Sequence, residues 1–116
     1  DIHWAEELHS NLFWCFCPNA NQYIENSIPN IPQFIEANVK CTLGTDSLAS
    51  NWQLSIWSEI ETIQKSYPHI RTELLIEMAC LNGAQFLGLE KNLGSIKFGK
   101  TPGVNWVKEG KVKSLV

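Results

Sequence analysis

One carboxylate stands where a chain of this kind could put it to use. Asp46 lies in the phrase LGTDSLASN, residues 43 to 51, three residues beyond Leu43, the end of a short apolar run from Val39. In α/β sheets and barrels, functional groups collect just past the carboxyl ends of the strands. A carboxylate in that position is a candidate functional group. Gly44 is expected to let the backbone turn tightly, Thr45 and Ser47 to hydrogen-bond the local main chain, and Ser50 or Asn51 to cap the next helix. A carboxylate that merely closes a turn would sit in the same place. Position alone serves both readings.

Few other side chains compete for that role. Cys17 to Asn21, CPNAN, lies past the preceding apolar run, where the amides Asn19 and Asn21 either line a pocket or form a turn. The three histidines, His3, His9 and His69, fall on the first helical segment, at its end and in a loop, and read as surface residues rather than as a metal set. The four cysteines are Cys15, Cys17, Cys41 and Cys80. Their spacing lacks a CxxC pair and has no paired histidines beside it, so buried reduced thiols are expected rather than zinc ligands or a disulfide.

The elements that must hold these residues follow from hydrophobic periodicity. Ile2, Ala5 and Leu8 predict a short helix ended by Ser10-Asn11. Leu12 to Cys17, LFWCFC, is apolar without alternation, as in a parallel strand covered on both faces, and Pro18 ends it for want of an N–H. A polar loop is expected over 19–27. A helix carrying Ile31, Phe34 and Ile35 then enters between Pro29 and Pro32 and closes at Asn38.

Val39 to Leu43 is the second strand, completing a β-loop-α-β unit. Ile56, Trp57, Ile60 and Ile63 predict a helix over 52–66 with Glu59 and Glu61 off its apolar face, stopped at Tyr67-Pro68. The next helix is expected to start at an N-cap Thr72 and run through Leu87 to a cap at Gly88. Val107 to Val112 predicts a β-hairpin about Glu109-Gly110.

Composition bounds the function. With 116 residues, the chain makes one small domain or part of a larger one. A 44% hydrophobic and 18% charged composition is globular, and a net charge of −3 offers no basic stripe for nucleic acid or an anionic membrane. With no apolar run of membrane-spanning length and no leader pattern, a cytoplasmic setting is expected.

Taken together, four phrases resemble the C-terminal part of the amidohydrolase superfamily, specifically its deaminase and chlorohydrolase type. The family's seventh barrel strand ends in C-P-x-S-N, matched by Cys17-Pro18-Asn19-Ala20-Asn21 with alanine for serine. Its eighth ends in G-T-D-x-x-x-S, matched by Gly44-Thr45-Asp46-Ser47-Leu48-Ala49-Ser50. Asn82 to Gly88 matches N-G-A-x-x-L-G, and Gly94 to Lys100 matches G-S-[IL]-x-x-G-K. After that the family turns into its β-sandwich through a Lys-Ala-Asp-type phrase, where this chain has Thr101-Pro102-Gly103.

The resemblance implies an α/β fold: the last two β/α units of a (β/α)8 TIM-type barrel over residues 1–92, then a short β segment, 93–116, returning to an accessory β-sandwich. It implies a hydrolase of non-peptide C–N bonds, a deaminase of a cyclic amidine or amino-heterocycle, using a divalent metal, zinc or else iron. Asp46 matches the aspartate that contacts that metal and carries a proton from the nucleophilic water toward the leaving amine. Ser50 matches a position that lines the substrate pocket in some relatives, and Asn21, past the end of the other strand, is the second substrate-binding candidate.

The family's metal histidines, an H-x-H pair among them, belong upstream, about 200 residues or more from Asp46 on barrel size. The chain is therefore expected to be a fragment that is inactive and metal-free alone, self-associating to cover apolar faces, with a homo-oligomeric parent. The competing readings are a free-standing α/β ligand-binding or interaction module without catalysis, and a non-catalytic member of the same fold.

Overall fold

The computed structural model describes residues 2–9 and 11–116, so the Ser10 half of the expected helix stop lies outside the described residues. Helix α1, Ile2–Leu8, is tied to the first strand by the Trp14 indole N–H, which donates to Glu6 Oε1 at 2.9 Å. Strand β1, Trp14–Phe16, turns Trp14 and Phe16 toward Phe34, whose ring lies 4.9 and 5.0 Å from theirs, and leaves Cys15 exposed.

The polar stretch that follows is not a loop. It forms helix α2, Pro18–Glu25, with Pro18 in the first turn and Asn26 left-handed at the end (φ 53°). Proline ends a strand because it has no N–H, and for the same reason it suits the first helical position, where that N–H would go unused. Helix α3, Ile31–Glu36, ends as expected with Asn38 in the left-handed region (φ 54°). Strand β2, Cys41–Leu43, then pairs parallel with β1, Trp14 opposite Cys41, Cys15 opposite Thr42 and Phe16 opposite Leu43.

Helix α4, Ile56–Ser66, starts at the first of its apolar residues rather than at the expected residue 52. Its N-cap is Ser55, whose hydroxyl accepts the Ser58 N–H, rather than Ser50 or Asn51. Tyr67 stops it as expected and donates its hydroxyl to the Pro29 carbonyl at 3.0 Å. The anticipated single helix up to Gly88 is two: α5, Thr72–Ala79, and α6, Leu81–Phe86, broken at Cys80. Thr72 is the first helical residue rather than the cap, with its hydroxyl accepting from the Gln64 amide at 2.6 Å.

The core joins the strands to these helices: Phe16, Ile31, Cys41, Leu43, Ile60, Ile63, Ile70, Leu75 and Met78 form one buried cluster. Strands β3, Asn105–Lys108, and β4, Lys111–Ser114, make the expected antiparallel hairpin, Lys108 opposite Lys111. Glu109 (φ 51°) and Gly110 (φ 73°) both lie in the left-handed region, as a two-residue hairpin turn matched to strand twist requires. The architecture is mixed α/β, with a parallel strand pair packed on helices and a separate hairpin.

Candidate functional site

The two parallel strands deliver their C-terminal ends side by side. Asp46 is exposed in the turn after β2 with φ 56°, a conformation that short polar side chains tolerate best. Its Oδ1 accepts the Ser47 N–H at 2.8 Å, and among the described residues Oδ2 has no donor. Ser50 closes the same turn, donating its hydroxyl to the Ser47 carbonyl at 3.2 Å. Asn21 lies beyond the other strand, in the first turns of α2, half-buried. Asp46 and Ser50 thus share one turn, while Asn21 belongs to the neighbouring strand end.

Cys17 links the two ends. The Asp46 backbone N–H lies against its sulfur and favours the thiolate, but burial, the neighbouring Cys15 thiol and the Glu59 charge outweigh it. Burial is the largest cause, and the Cys17 thiol is pushed up to about 11. Cys41 rises to about 11 mainly through burial as well.

Gly44 explains how the sulfurs fit. A Cβ there would stand 3.1 Å from both Cys15 Sγ and Cys17 Sγ, so close approach rather than the turn favours glycine. The left-handed residue of this loop is Asp46 itself. All four cysteines are free, and Cys15 and Cys80 are exposed rather than buried as expected.

A thiol kept protonated in the fold stabilises it against an unfolded state that ionises at about 9. That stabilisation is complete below about pH 9 and is lost as pH rises through about 11. The urea midpoint is accordingly expected to fall across this window, and Cys17→Ser to flatten the fall. An equal fall in the variant would count against this cause.

The residue most involved in holding the site was misassigned by its type. Glu59 is fully buried, not off the apolar face. Its Oε2 accepts the Asn19 backbone N–H at 2.8 Å, and its Oε1 accepts from the Asn51 amide at 2.8 Å. The same Asn51 nitrogen donates to the Thr45 carbonyl at 2.7 Å. Asn19 is pinned further by donating to Ser58 Oγ at 3.1 Å and accepting from the Thr62 hydroxyl at 2.6 Å. Spacing carried the signal, since 56, 59, 60 and 63 share one helical face.

Among the described residues no three His, Cys, Asp or Glu side chains converge to hold a metal. Asp46, with one oxygen oriented by Ser47 and the other open, suits a single ligand of a site completed by donors from elsewhere. His9 and His69 are exposed. A concavity of about 1190 Å³ lies between α4, α5, α6 and the C-terminal segment and is lined by neither Asp46 nor Asn21. No helix among the described residues is long and apolar enough to cross a membrane.

The model of the amidohydrolase family matches residues 1–111. The chain belongs to the amidohydrolase family. It is 37% identical over 87 residues to a 5-methylthioadenosine/S-adenosylhomocysteine deaminase of Clostridium tetani, which covers 69% of this chain and 20% of that protein. An aminodeoxyfutalosine deaminase of Deinococcus radiodurans is 32% identical over 72 residues, 62% of this chain and 17% of its own length.

Among solved structures, a zinc-bound adenosine deaminase from Xanthomonas campestris superimposes with a TM-score of 0.65 at 29% identity, covering 76% of this chain and 22% of that one. The chain thus spans about one fifth of the length of the curated relatives it matches. Family membership and a deaminase-like α/β arrangement agree with the resemblance carried by the four sequence phrases.

Proposed function

We propose that this chain forms the C-terminal part of a metal-dependent amidohydrolase that deaminates an amino-heterocycle, an aminopurine nucleoside being the first candidate. The observation that carries the reading is Asp46. It follows the second of two parallel strands in a chain related to named deaminases, in an exposed turn that orients one carboxylate oxygen and leaves the other open. In this reading residues 1–92 are the last two β/α units of a (β/α)8 barrel and 93–116 lead back to an accessory β domain. Donors for the remaining metal positions come from the rest of the enzyme.

A bound divalent cation, zinc first and iron second, would polarise the substrate and lower the pKa of water. Asp46 supplies one ligand and takes up a proton from water, delivering it to the leaving amine. The Ser47 N–H holds Oδ1 and so orients the open Oδ2 for these roles. Asn21 and Ser50, one from each strand end, border the substrate.

The test uses the full-length protein. Loaded with zinc, it is expected to release ammonia from adenosine, 5-methylthioadenosine or S-adenosylhomocysteine, to stop on chelation and to resume on adding zinc back. A metal-replete protein that releases ammonia from no amino-heterocycle in such a screen would refute the reading.

A further inference from the structure

We propose that Glu59 is a positioning residue that sets the placement of Asp46 relative to the α2 strand end. This rests on the function proposed above for Asp46. A buried carboxylate is costly unless its oxygens are satisfied, and an apolar residue would fill the α4 face without that cost. Glu59 is 0% exposed, and each oxygen takes a donor from a different strand-end segment. Oε2 receives the Asn19 N–H, one of the donors a helix start leaves unpaired, where negative charge is also favoured.

Oε1 receives Asn51, and Asn51 in turn holds the Thr45 carbonyl, the atom just before the Asp46 peptide. The Gln53 N–H closes on Asn51 Oδ1 at 3.2 Å and keeps that amide in its orientation. One carboxylate therefore fixes the segments carrying both Asn21 and Asp46 to the same helix. Asp46 sits at a positive φ, so its loop needs such external support to hold one geometry.

The chemistry of the carboxylate makes this separable from mere packing. Both partners of Glu59 are donors, so an ionised carboxylate satisfies both, whereas a glutamine of the same shape must turn an N–H₂ toward one of them. Glu59→Gln thus preserves volume and breaks one of the two links.

The experiment compares full-length wild type, Glu59→Gln and Tyr67→Phe at equal zinc content. Tyr67→Phe removes a half-buried hydrogen bond to Pro29, which involves none of Asn19, Thr45, Asn51 and Glu59, and serves as the stability control. Glu59→Gln is expected to lower kcat about 10- to 100-fold, the scale of a small misplacement of a reacting group, with KM changed less than about threefold. Amide exchange at Ser47 is expected to speed up, and Tyr67→Phe is expected to leave kcat and that exchange unchanged.

A kcat loss in Tyr67→Phe equal to that in Glu59→Gln, or unaltered Ser47 exchange in Glu59→Gln, overturns the proposal. If Glu59→Gln does not fold, Asn51→Ala replaces it. That variant cuts the link to Thr45 while leaving Glu59 on Asn19, so the same kcat loss is expected, with faster exchange confined to the Asp46 turn. Wild type that releases no ammonia defeats the functional reading alone. The exchange comparison still decides whether Glu59 holds the Asp46 turn.

Discussion

Asp46→Asn in the full-length enzyme is expected to cut kcat about 100- to 10,000-fold, the usual contribution of a positioned proton-transfer group. Asparagine is nearly the same shape and tolerates the left-handed backbone that Asp46 adopts at φ 56°. Its carbonyl oxygen can still accept the Ser47 N–H that Oδ1 now accepts at 2.8 Å, so the turn and the fold should persist. What disappears is the negative charge on the open oxygen, and with it both a cation ligand and the only proton acceptor in the turn. Ammonia release at saturating substrate, zinc stoichiometry and the melting temperature check this together. Activity within about tenfold of wild type, in a protein that still melts normally, would place the proton transfer elsewhere and leave Asp46 a turn residue.

Expressed by itself, the 116-residue chain is expected to release no ammonia and to run as an assembly rather than a monomer. The first half follows from the donor set: no three metal-binding side chains converge among the described residues, and a catalytic constellation works only when every member is held in register. The second follows from surface area. The chain exposes 7949 Å² at 13.1 kDa, where a monomeric protein of that mass exposes about 6,400 Å². The excess, about 1,500 Å², is roughly twice the ~800 Å² that one partner contributes to a standard protein–protein interface.

Much of that excess is apolar, with Phe98, Ile96, Leu87 and Phe86 all more than half exposed. The parallel pair β1–β2 has no further strand among the described residues, so its outer edges offer unpaired backbone groups. Light scattering after size exclusion, with a deamination assay on the same fractions, checks both halves. A monodisperse monomer at micromolar concentration, or metal-dependent ammonia release from it, would contradict them.

Local signals carried a good deal of this protein. Two apolar runs separated by a helical segment sufficed for the parallel unit, although Cys15 of the first strand is exposed rather than covered. Glu109-Gly110 between alternating residues sufficed for the hairpin, and the turn takes the type that has positive φ at both central positions. The family lay in the order of four short phrases, and the position of Asp46 followed from its distance past Leu43.

Other features depended on what each residue meets in three dimensions. Pro18 reads equally as the end of a strand and as the start of α2, and the packing of Asn19 and Ala20 into the interior selects the helix. Gly44 is crowded by two sulfurs, from β1 and from the residue after it, a contact that has no local signature. Glu59 sits at a core spacing, but its charge argues for solvent. Only the tertiary structure brings Asn19 and Asn51, 40 and 8 residues away, to its two oxygens and makes burial affordable. The sequence by itself determined which carboxylate stands at the strand end. The fold decided what holds it there, because a hydrogen-bonding group's partners are set by long-range packing rather than by its neighbours in the chain.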